Sequence, residues 1–253
     1  MKTDPVGPRY YDFVKKAELA QEVLFWLCVV LSFIGMQAFY QLPGRWPEVS
    51  EISYLLAAIA YFSLGLAIRI VWQPKAEDGR RADFLSNAFN TSLTTHRSVG
   101  YYNNTQAEPL GRVTAQTMEN ALFTTRILAV MIKGESWWVG IYLVLWLAAL
   151  AYKGADLAIP VWVAQVVFSE QIVSRWVRMV WLRHRSGRAY DDLYKLVHAK
   201  TSADAIAPWV LSIFSEYETA KAVAAIQLSG KVFKRLNEEV TKEWDAIRKE
   251  LGI

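Results

Sequence analysis

The stretch Val23–Tyr40, VLFWLCVVLSFIGMQAFY, contains no charged residue over 18 positions. At about 1.5 Å of rise per residue, such a helix is just long enough to cross the roughly 30 Å hydrocarbon core of a bilayer. Three further apolar stretches follow at about Ile52–Val71, Trp137–Tyr152 and Leu157–Val177. Charged residues make up 21% of the chain but lie almost entirely between these stretches, whereas soluble proteins intersperse them. The sequence therefore predicts an all-α membrane protein with four transmembrane helices.

Short connections join the four predicted spans in pairs. The first connection, QLPGRWPEVS (41–50), has two prolines and a glycine that end a helix, and the second is a few residues around Lys153–Asp156. We therefore expect two antiparallel hairpins. The connections carry only Arg45 and Lys153 as basic residues, whereas the other segments are rich in lysine and arginine. By the positive-inside rule, both termini and the middle segment lie in the cytoplasm.

These spans divide the chain into four segments. They are a helix and the first hairpin (1–72), a cytoplasmic helical segment with a long loop (73–135), the second hairpin (136–178) and cytoplasmic C-terminal helices (179–253). Apolar periodicity predicts helices at about Ala76–Asn87, Gly111–Ile132 and Ala205–Ala220. The last helix has one apolar stripe: Phe233, Leu236, Val240, Trp244, Ile247 and Leu251. This pattern favours a helix packed on its own domain over one that binds a partner.

No motif for catalysis, a cofactor or a metal is present in the sequence. Cys28 is the single cysteine, which excludes an intrachain disulfide and a thiolate cluster, and the three histidines are scattered. Asp83 and Glu119 are isolated carboxylates that we interpret as structural or solvated, and no neighbour that would orient His96 is visible. We expect a protein that is not an enzyme. Its net charge of +4 does not favour direct binding of double-stranded nucleic acid.

Polar residues interrupt the fourth predicted span. A charge inside hydrocarbon costs at least about 2.5–3.5 kcal/mol, so such residues should face a bundle interior, another subunit or water. Gln165, Ser169 and Glu170 are candidates for lining a pore. The alternative is a network of Glu170 with Arg175 or Arg178 that holds helices together, which we favour for the two arginines. Four spans cannot enclose a wide channel, so conduction would require several copies of the chain.

The long loop in the middle segment is the second candidate site, for a nucleotide ligand. Tyrosine rings stack on bases, asparagines bond base edges and arginines contact phosphates. The candidate residues are Arg80, Arg81, Arg97, Tyr101, Tyr102, Asn103, Asn104 and Arg112. Ordinary loop packing, with surface arginines attracted to anionic lipid headgroups, is the alternative that we favour.

Four strings in the sequence are typical of a known family. They are RRADFLSNAFNTSL (Arg80–Leu93), GYYNN (Gly100–Asn104), MENALFT (Met118–Thr124) and SEYETAKAV (Ser215–Val223). With the order of helices and spans, they make the chain resemble the SMODS-associating four-transmembrane pore-forming effectors of bacterial antiphage systems. The resemblance covers nearly the whole chain.

The resemblance implies an immune effector of the bacterial inner membrane that forms homo-oligomers and permeabilises or depolarises that membrane when triggered. A cyclic oligonucleotide or a partner protein of the defence system would be the trigger. From the residues themselves, we expect no cofactor. The alternative is a membrane-anchored adaptor that binds a soluble defence partner through its cytoplasmic helices.

Overall fold

Helices dominate the computed structural model, which describes residues 4–41, 46–100, 106–151, 170–199 and 203–253. The α-helices in these ranges are α1 (Asp12–Gln41), α2 (Trp46–Ala67), α3 (Gln73–Phe89), α4 (Pro109–Ala151), α5 (Arg175–His198), α6 (Ala203–Ala224) and α7 (Gly230–Leu251). Five-residue π-helical turns precede α1, α3 and α5 at Gly7–Tyr11, Ile68–Trp72 and Glu170–Ser174. No element within these ranges is a β-strand. The predicted all-α fold class is therefore confirmed.

The helices are longer than the sequence pattern indicated. The helix expected at about Gly111–Ile132 and the third predicted span belong to one helix, α4, which runs from Pro109 to Ala151 without a break. The segment boundary placed at 135/136 therefore lies inside a helix. The change from polar to apolar residues near Lys133 marks a change of surroundings, and no proline or turn accompanies it.

The chain divides into two compact units. The smaller unit is Gly7–Ala76, and the larger unit is Met1–Val6 together with Glu77–Ile253. Within the smaller unit, α1 and α2 pack against each other. The rings of Phe25 and Tyr61 lie 6.2 Å apart, and those of Phe13 and Trp72 lie 4.8 Å apart. The earlier residue of α1, Phe13, contacts the later residue Trp72, and the later residue Phe25 contacts the earlier residue Tyr61, so α1 and α2 are antiparallel.

The core of the smaller unit is small. Val14, Ala17, Ile68 and Ala76 form its buried cluster. Most large apolar side chains of α1 and α2 whose burial is described lie outside it. The exposed ones are Phe13, Leu19, Val23, Trp26, Leu27, Val30, Val49, Ile52, Leu55, Leu56, Ile59, Phe62 and Leu66. A soluble two-helix unit would not leave so continuous an apolar surface in water.

The larger unit is a helical bundle built on α4. Helix α5 runs antiparallel to α4, since Trp176 Nε1 donates to Ser136 Oγ at 2.8 Å at one end and Ala189 packs with Ala121 further along. Helices α6 and α7 both contribute side chains to the core cluster that contains Val113 and Leu122 of α4. The main core contains side chains from all five helices, α3, α4, α5, α6 and α7. They include Phe84, Met118, Leu193, Val210, Phe214, Val240 and Trp244.

Helix α7 turns its apolar stripe toward this core. Val240 and Trp244 are buried, and Leu236, Ile247 and Leu251 pack at the edge of the cluster. Ser229 caps the helix by accepting a hydrogen bond from the Val232 N–H, and Gly252 ends it with a φ of 71°, a conformation that glycine adopts without strain. The prediction that this helix packs on its own domain is confirmed.

Two helical stretches in the described ranges are long and apolar enough to cross a membrane. They are Glu48–Phe89, which comprises most of α2, the π-helical turn and α3, and Pro109–Val144, which is most of α4. In the most apolar 18 residues of these two stretches, only 11% and 17% are buried, whereas the core helix of a soluble protein is mostly buried. These helices indicate that the protein associates with a membrane. The fourth predicted span, Leu157–Val177, lies largely outside the described residues. For the first span, the side chains of residues 33–40 also lie outside the description.

We expect Trp244→Ala to destabilise the larger unit strongly. The indole is only 2% exposed in the main core, and truncating a buried tryptophan typically costs about 3–5 kcal/mol. Trp209→Ala is the matched control because this side chain is 65% exposed. Thermal unfolding of the protein in detergent should show a large fall in Tm for the first variant and a small one for the second. Equal shifts would contradict the assigned core.

Candidate functional site

Asp83 holds the long loop after α3 in place. Its carboxylate is fully buried and accepts hydrogen bonds from the N–H and the hydroxyl of Ser98, at 2.7 and 2.8 Å. The Asn87 amide donates to the same carboxylate at 3.1 Å and to Ser98 Oγ at 3.2 Å. A buried carboxylate is tolerated when hydrogen bonds satisfy its oxygens, as they do here. The interpretation of Asp83 as a structural carboxylate is confirmed.

The first part of the loop is fixed by Ser86 and Asn90. Ser86 Oγ donates to the Ala82 carbonyl and accepts from the Leu93 N–H at 3.0 Å. Asn90 has a φ of 52°, in the left-handed region that asparagine tolerates better than most residues, and it directly follows the last residue of α3. The loop is therefore ordered by side chains of the helix that precedes it.

Arg112 ties the other end of the loop to the same place. Its Nε and Nη2 donate to the carbonyls of Gln106 and Ala107, at 2.8 and 2.7 Å. Its Nη1 donates to the carbonyl of Ala88, in the last turn of α3, at 3.2 Å. A positive charge at a helix C-terminus is favourable because the last carbonyls carry partial negative charge.

The other candidate arginines differ in how available they are. Arg80 makes a two-bond contact with Asp4, with N···O distances of 3.0 and 2.9 Å, and is largely buried. Arg81 pairs with Asp78 on the same helix, and Arg97 donates to Asn90, both at the surface. A ligand phosphate could reach Arg81 and Arg97 with little rearrangement, whereas engaging Arg80 or Arg112 would break internal contacts.

Several candidate residues lie outside the described part of the chain. These are Tyr101, Tyr102, Asn103 and Asn104 of the loop, and Gln165 and Ser169 of the fourth predicted span. The backbone of Glu170 begins the π-helical turn Glu170–Ser174.

Arg175 and Arg178 have partners on neighbouring helices. Arg175 Nε lies 3.8 Å from Glu135 Oε1 of α4, and Arg178 Nη1 donates to the carbonyl of Ala224, the last residue of α6, at 2.8 Å. Both contacts link helices, in agreement with the structural role that we favoured for them. The observed acceptors, Glu135 and Ala224, were not anticipated.

A buried polar cluster between α3, α4 and α6 was missed in the sequence. Lys221 Nζ lies 2.7 Å from Glu218 Oε1 and 3.7 Å from Glu77 Oε2, and all three side chains are largely buried. The Lys221 ammonium also lies 5.1 Å from the ring centre of Tyr217, whose hydroxyl is 2.9 Å from Thr124 Oγ1. The i, i+3 spacing of Glu218 and Lys221 was visible, but nothing local signals Glu77.

Two groups of this cluster have raised pKa values. Burial raises the pKa of the Tyr217 hydroxyl to about 12, against the opposing effect of the Lys221 charge. Burial lowers the pKa of Lys221, but the carboxylates of Glu218 and Glu77 outweigh it, so the net shift is upward. The lysine is therefore held charged and the phenol neutral, which suits a structural ion pair better than proton transfer near neutral pH.

No group of three or more His, Cys, Asp or Glu side chains in the described ranges is arranged to hold a metal ion. Comparisons of the chain with protein-family models, curated proteins and solved structures found no match.

We expect Asp83→Asn to loosen the loop without unfolding the bundle. The variant keeps the size of the side chain but removes the charge and one acceptor, so the Ser98 N–H and hydroxyl compete for one oxygen. Hydrogen–deuterium exchange of peptides covering 90–100 should become about tenfold faster or more, because losing a buried charged hydrogen bond costs about 1.5–3 kcal/mol. Asp78→Asn, an exposed position on the same helix, is the control. Unchanged exchange in both variants would contradict the anchoring role.

We expect Tyr217→Phe to reduce the loss of stability at alkaline pH. A phenol whose pKa is raised on folding contributes fully below its unfolded value of about 10, and this contribution is lost as pH rises toward 12. Between pH 9 and 11 the wild type should therefore lose about 1.4 kcal/mol more stability than the variant.

Thermal unfolding at the two pH values measures this difference. Thr124→Val is the control, because it removes the hydrogen bond but keeps the phenol, so it should retain the alkaline loss. Equal losses of stability in the wild type and in Tyr217→Phe would contradict a raised pKa of the Tyr217 hydroxyl in the folded protein.

Proposed function

We propose that this chain is a multi-pass protein of the bacterial inner membrane whose copies assemble and permeabilise or depolarise that membrane as an antiphage effector. The observation that carries the proposal is the uncovered apolar surface of α1, α2 and the second half of α4. The resemblance of four strings to pore-forming effectors supplies the class of function.

Helix α4 gives the clearest physical support for a membrane. Up to Ile132 it contributes seven buried apolar residues to the bundle: Val113, Ala115, Met118, Ala121, Leu122, Ile127 and Leu128. From Lys133 to Ala148, no side chain whose burial is described is buried, although most are apolar. Exposing one large apolar side chain instead of burying it costs about 1.5–3 kcal/mol in water, and hydrocarbon removes this cost.

The proposed topology has four spans in two hairpins, with both termini and the middle segment in the cytoplasm. Within each unit, the antiparallel packing of α1 with α2 and of α4 with α5 supports the pairing of spans. Trp137 and Trp138 are exposed where the apolar part of α4 begins, and indole rings favour the headgroup region. The basic residues that follow in α5 are consistent with a cytoplasmic side.

Permeabilisation requires more than one copy, since four spans are too few to enclose a wide channel. Gln165, Ser169 and Glu170 remain the candidates for the conducting surface on the strength of the sequence. Arg175 and Arg178 are less suited to that role, because their contacts with Glu135 and the Ala224 carbonyl join helices.

The proposed trigger is a cyclic oligonucleotide or a partner protein of the defence system that acts on the long loop. The exposed guanidinium groups of Arg81 and Arg97 are available for such contacts. The anchors at Asp83 and Arg112 would connect a ligand on the loop to α3 and α4. The adaptor alternative loses its best surface, because the apolar stripe of α7 packs inside the bundle.

Ion flux in vesicles tests the proposal. We expect purified wild-type protein, once triggered, to release a fluorescent or ionic load, and Glu170→Ala or Gln165→Leu to change the rate or the ion preference, because polar residues within spans mark ion pathways. The trigger can be supplied by a set of cyclic di- and trinucleotides or by lysate from infected cells.

Leu55→Ala is the control, because this exposed apolar residue of α2 would face lipid and its loss should leave flux unchanged. Resistance of all variants to alkaline extraction confirms insertion. Flux that is absent, or that is identical for every fourth-span variant, would reject the pore.

A further inference from the structure

We propose that the turn between α6 and α7, with the first turn of α7, is a peripheral surface that binds the anionic phospholipid headgroups of the bilayer. This inference rests on the proposed membrane insertion and adds a second, electrostatic contact to it. We call residues 222–235 the basic turn. This region comprises the end of α6, the connection 225–229 and the first six residues of α7.

The packing of the basic turn places it close to the start of the apolar part of α4. The Ser229 N–H donates to Met131 Sδ at 3.4 Å, and Leu228 packs against the same buried cluster as Met131 and Ile132. Met131 precedes the exposed Trp137 by six residues, or about 9 Å of helix rise. If the hydrocarbon begins at Trp137, the headgroup layer extends about 5–7 Å from that level, so the basic turn lies about 2–4 Å outside the layer, within reach of long Lys and Arg side chains.

The charge of the basic turn suits an anionic surface. Lys231, Lys234 and Arg235 are all exposed, and none of them pairs with a carboxylate in the described part of the chain. The first turn of α7 contains no acidic residue, so the positive end of the helix dipole adds to these charges. Val223, which is 64% exposed, and Phe233 supply apolar surface beside the charges. Basic residues with adjacent apolar side chains are typical of interfacial membrane contacts.

The opposite end of α7 lies beyond the reach of the bilayer charge. Tyr194 of α5 donates to Glu250 near this end at 2.7 Å. Tyr194 is 18 residues from Trp176, which lies beside Ser136, so the far end is about 27 Å from that level along α5. Electrostatic attraction is screened within about 8–10 Å at physiological salt. Helix α7 therefore has one end within that range and one end outside it, which provides an internal control.

Fluorescence quenching by lipid headgroups tests the proposal on the full chain in vesicles. In a Cys28→Ser background, a fluorophore is attached at Val223→Cys, or at Ala246→Cys as the distant exposed control. The vesicles contain phosphatidylcholine with a nitroxide on its headgroup, with or without phosphatidylglycerol. We expect phosphatidylglycerol to increase quenching at position 223 and not at position 246, and high salt to reverse the increase.

Charge variants on the two ends of α7 separate this surface from overall charge. Replacing Lys231, Lys234 and Arg235 together by Gln should lower the ratio of bound to unbound turn by about fivefold or more, given the effect of one basic residue near an anionic membrane. The same change at Lys242, Arg248 and Lys249 removes equal charge from the second half of α7 and should have a much smaller effect. Quenching that ignores phosphatidylglycerol, or the first triple variant, would overturn the proposal.

The same vesicles distinguish this inference from the proposed function. Protein that resists alkaline extraction and releases the load, but shows no headgroup quenching at position 223, would reject the lipid surface alone. Protein that is extracted by alkali would reject both, since the basic turn would have no bilayer beside it.

Discussion

Helix α4 needs two different surroundings along one uninterrupted length. Its first half contributes side chains as buried as Met118 and Leu128 to a polar-surfaced bundle, and its second half exposes Leu143, Val144 and Leu147. Water suits the outer surface of the first half and penalises the second. Hydrocarbon reverses both preferences, so the proposed boundary between the two solvents near Lys133 would satisfy the whole helix. The bundle and the membrane-associated part are therefore tied by a continuous backbone rather than by a flexible linker.

Three of the four strings that suggested the family supply polar contacts inside the larger unit. RRADFLSNAFNTSL contains Asp83 and Ser86, which anchor the loop. MENALFT ends in Thr124, whose hydroxyl meets that of Tyr217, and SEYETAKAV contains Tyr217 and Lys221. Buried polar groups tolerate few substitutes because each partner left unpaired costs about 1–3 kcal/mol. The buried polar contacts within the bundle therefore account for the polar residues of these three segments. These residues do not by themselves locate a ligand.

The sequence predicted what depends on periodicity and missed what depends on distant partners. The helical class and the inward stripe of α7 followed from local patterns, whereas Asp83 was interpreted as either structural or solvated until its contacts with Ser98 were seen. The continuity of α4 was missed because a change of polarity was interpreted as the end of an element. Contacts such as Glu77 with Lys221 could not be found, since they join residues far apart in the chain. For the candidate site, residue type suggested phosphate contacts for Arg80 and Arg112, but neighbouring acceptors occupy both guanidinium groups.

The polar contacts at the start of the apolar part of α4 lie close to the basic turn, and this has a mechanical consequence within the larger unit. Trp176 with Ser136 joins α5 to α4 at this level, and Arg178 joins α5 to the Ala224 carbonyl at the end of α6. A sliding movement of α5 along α4 must break the Trp176–Ser136 bond, and it must either break the Arg178–Ala224 bond as well or carry Ala224 with it. In the second case the movement displaces the basic turn, so that lipid contact and helix movement would share the same few residues.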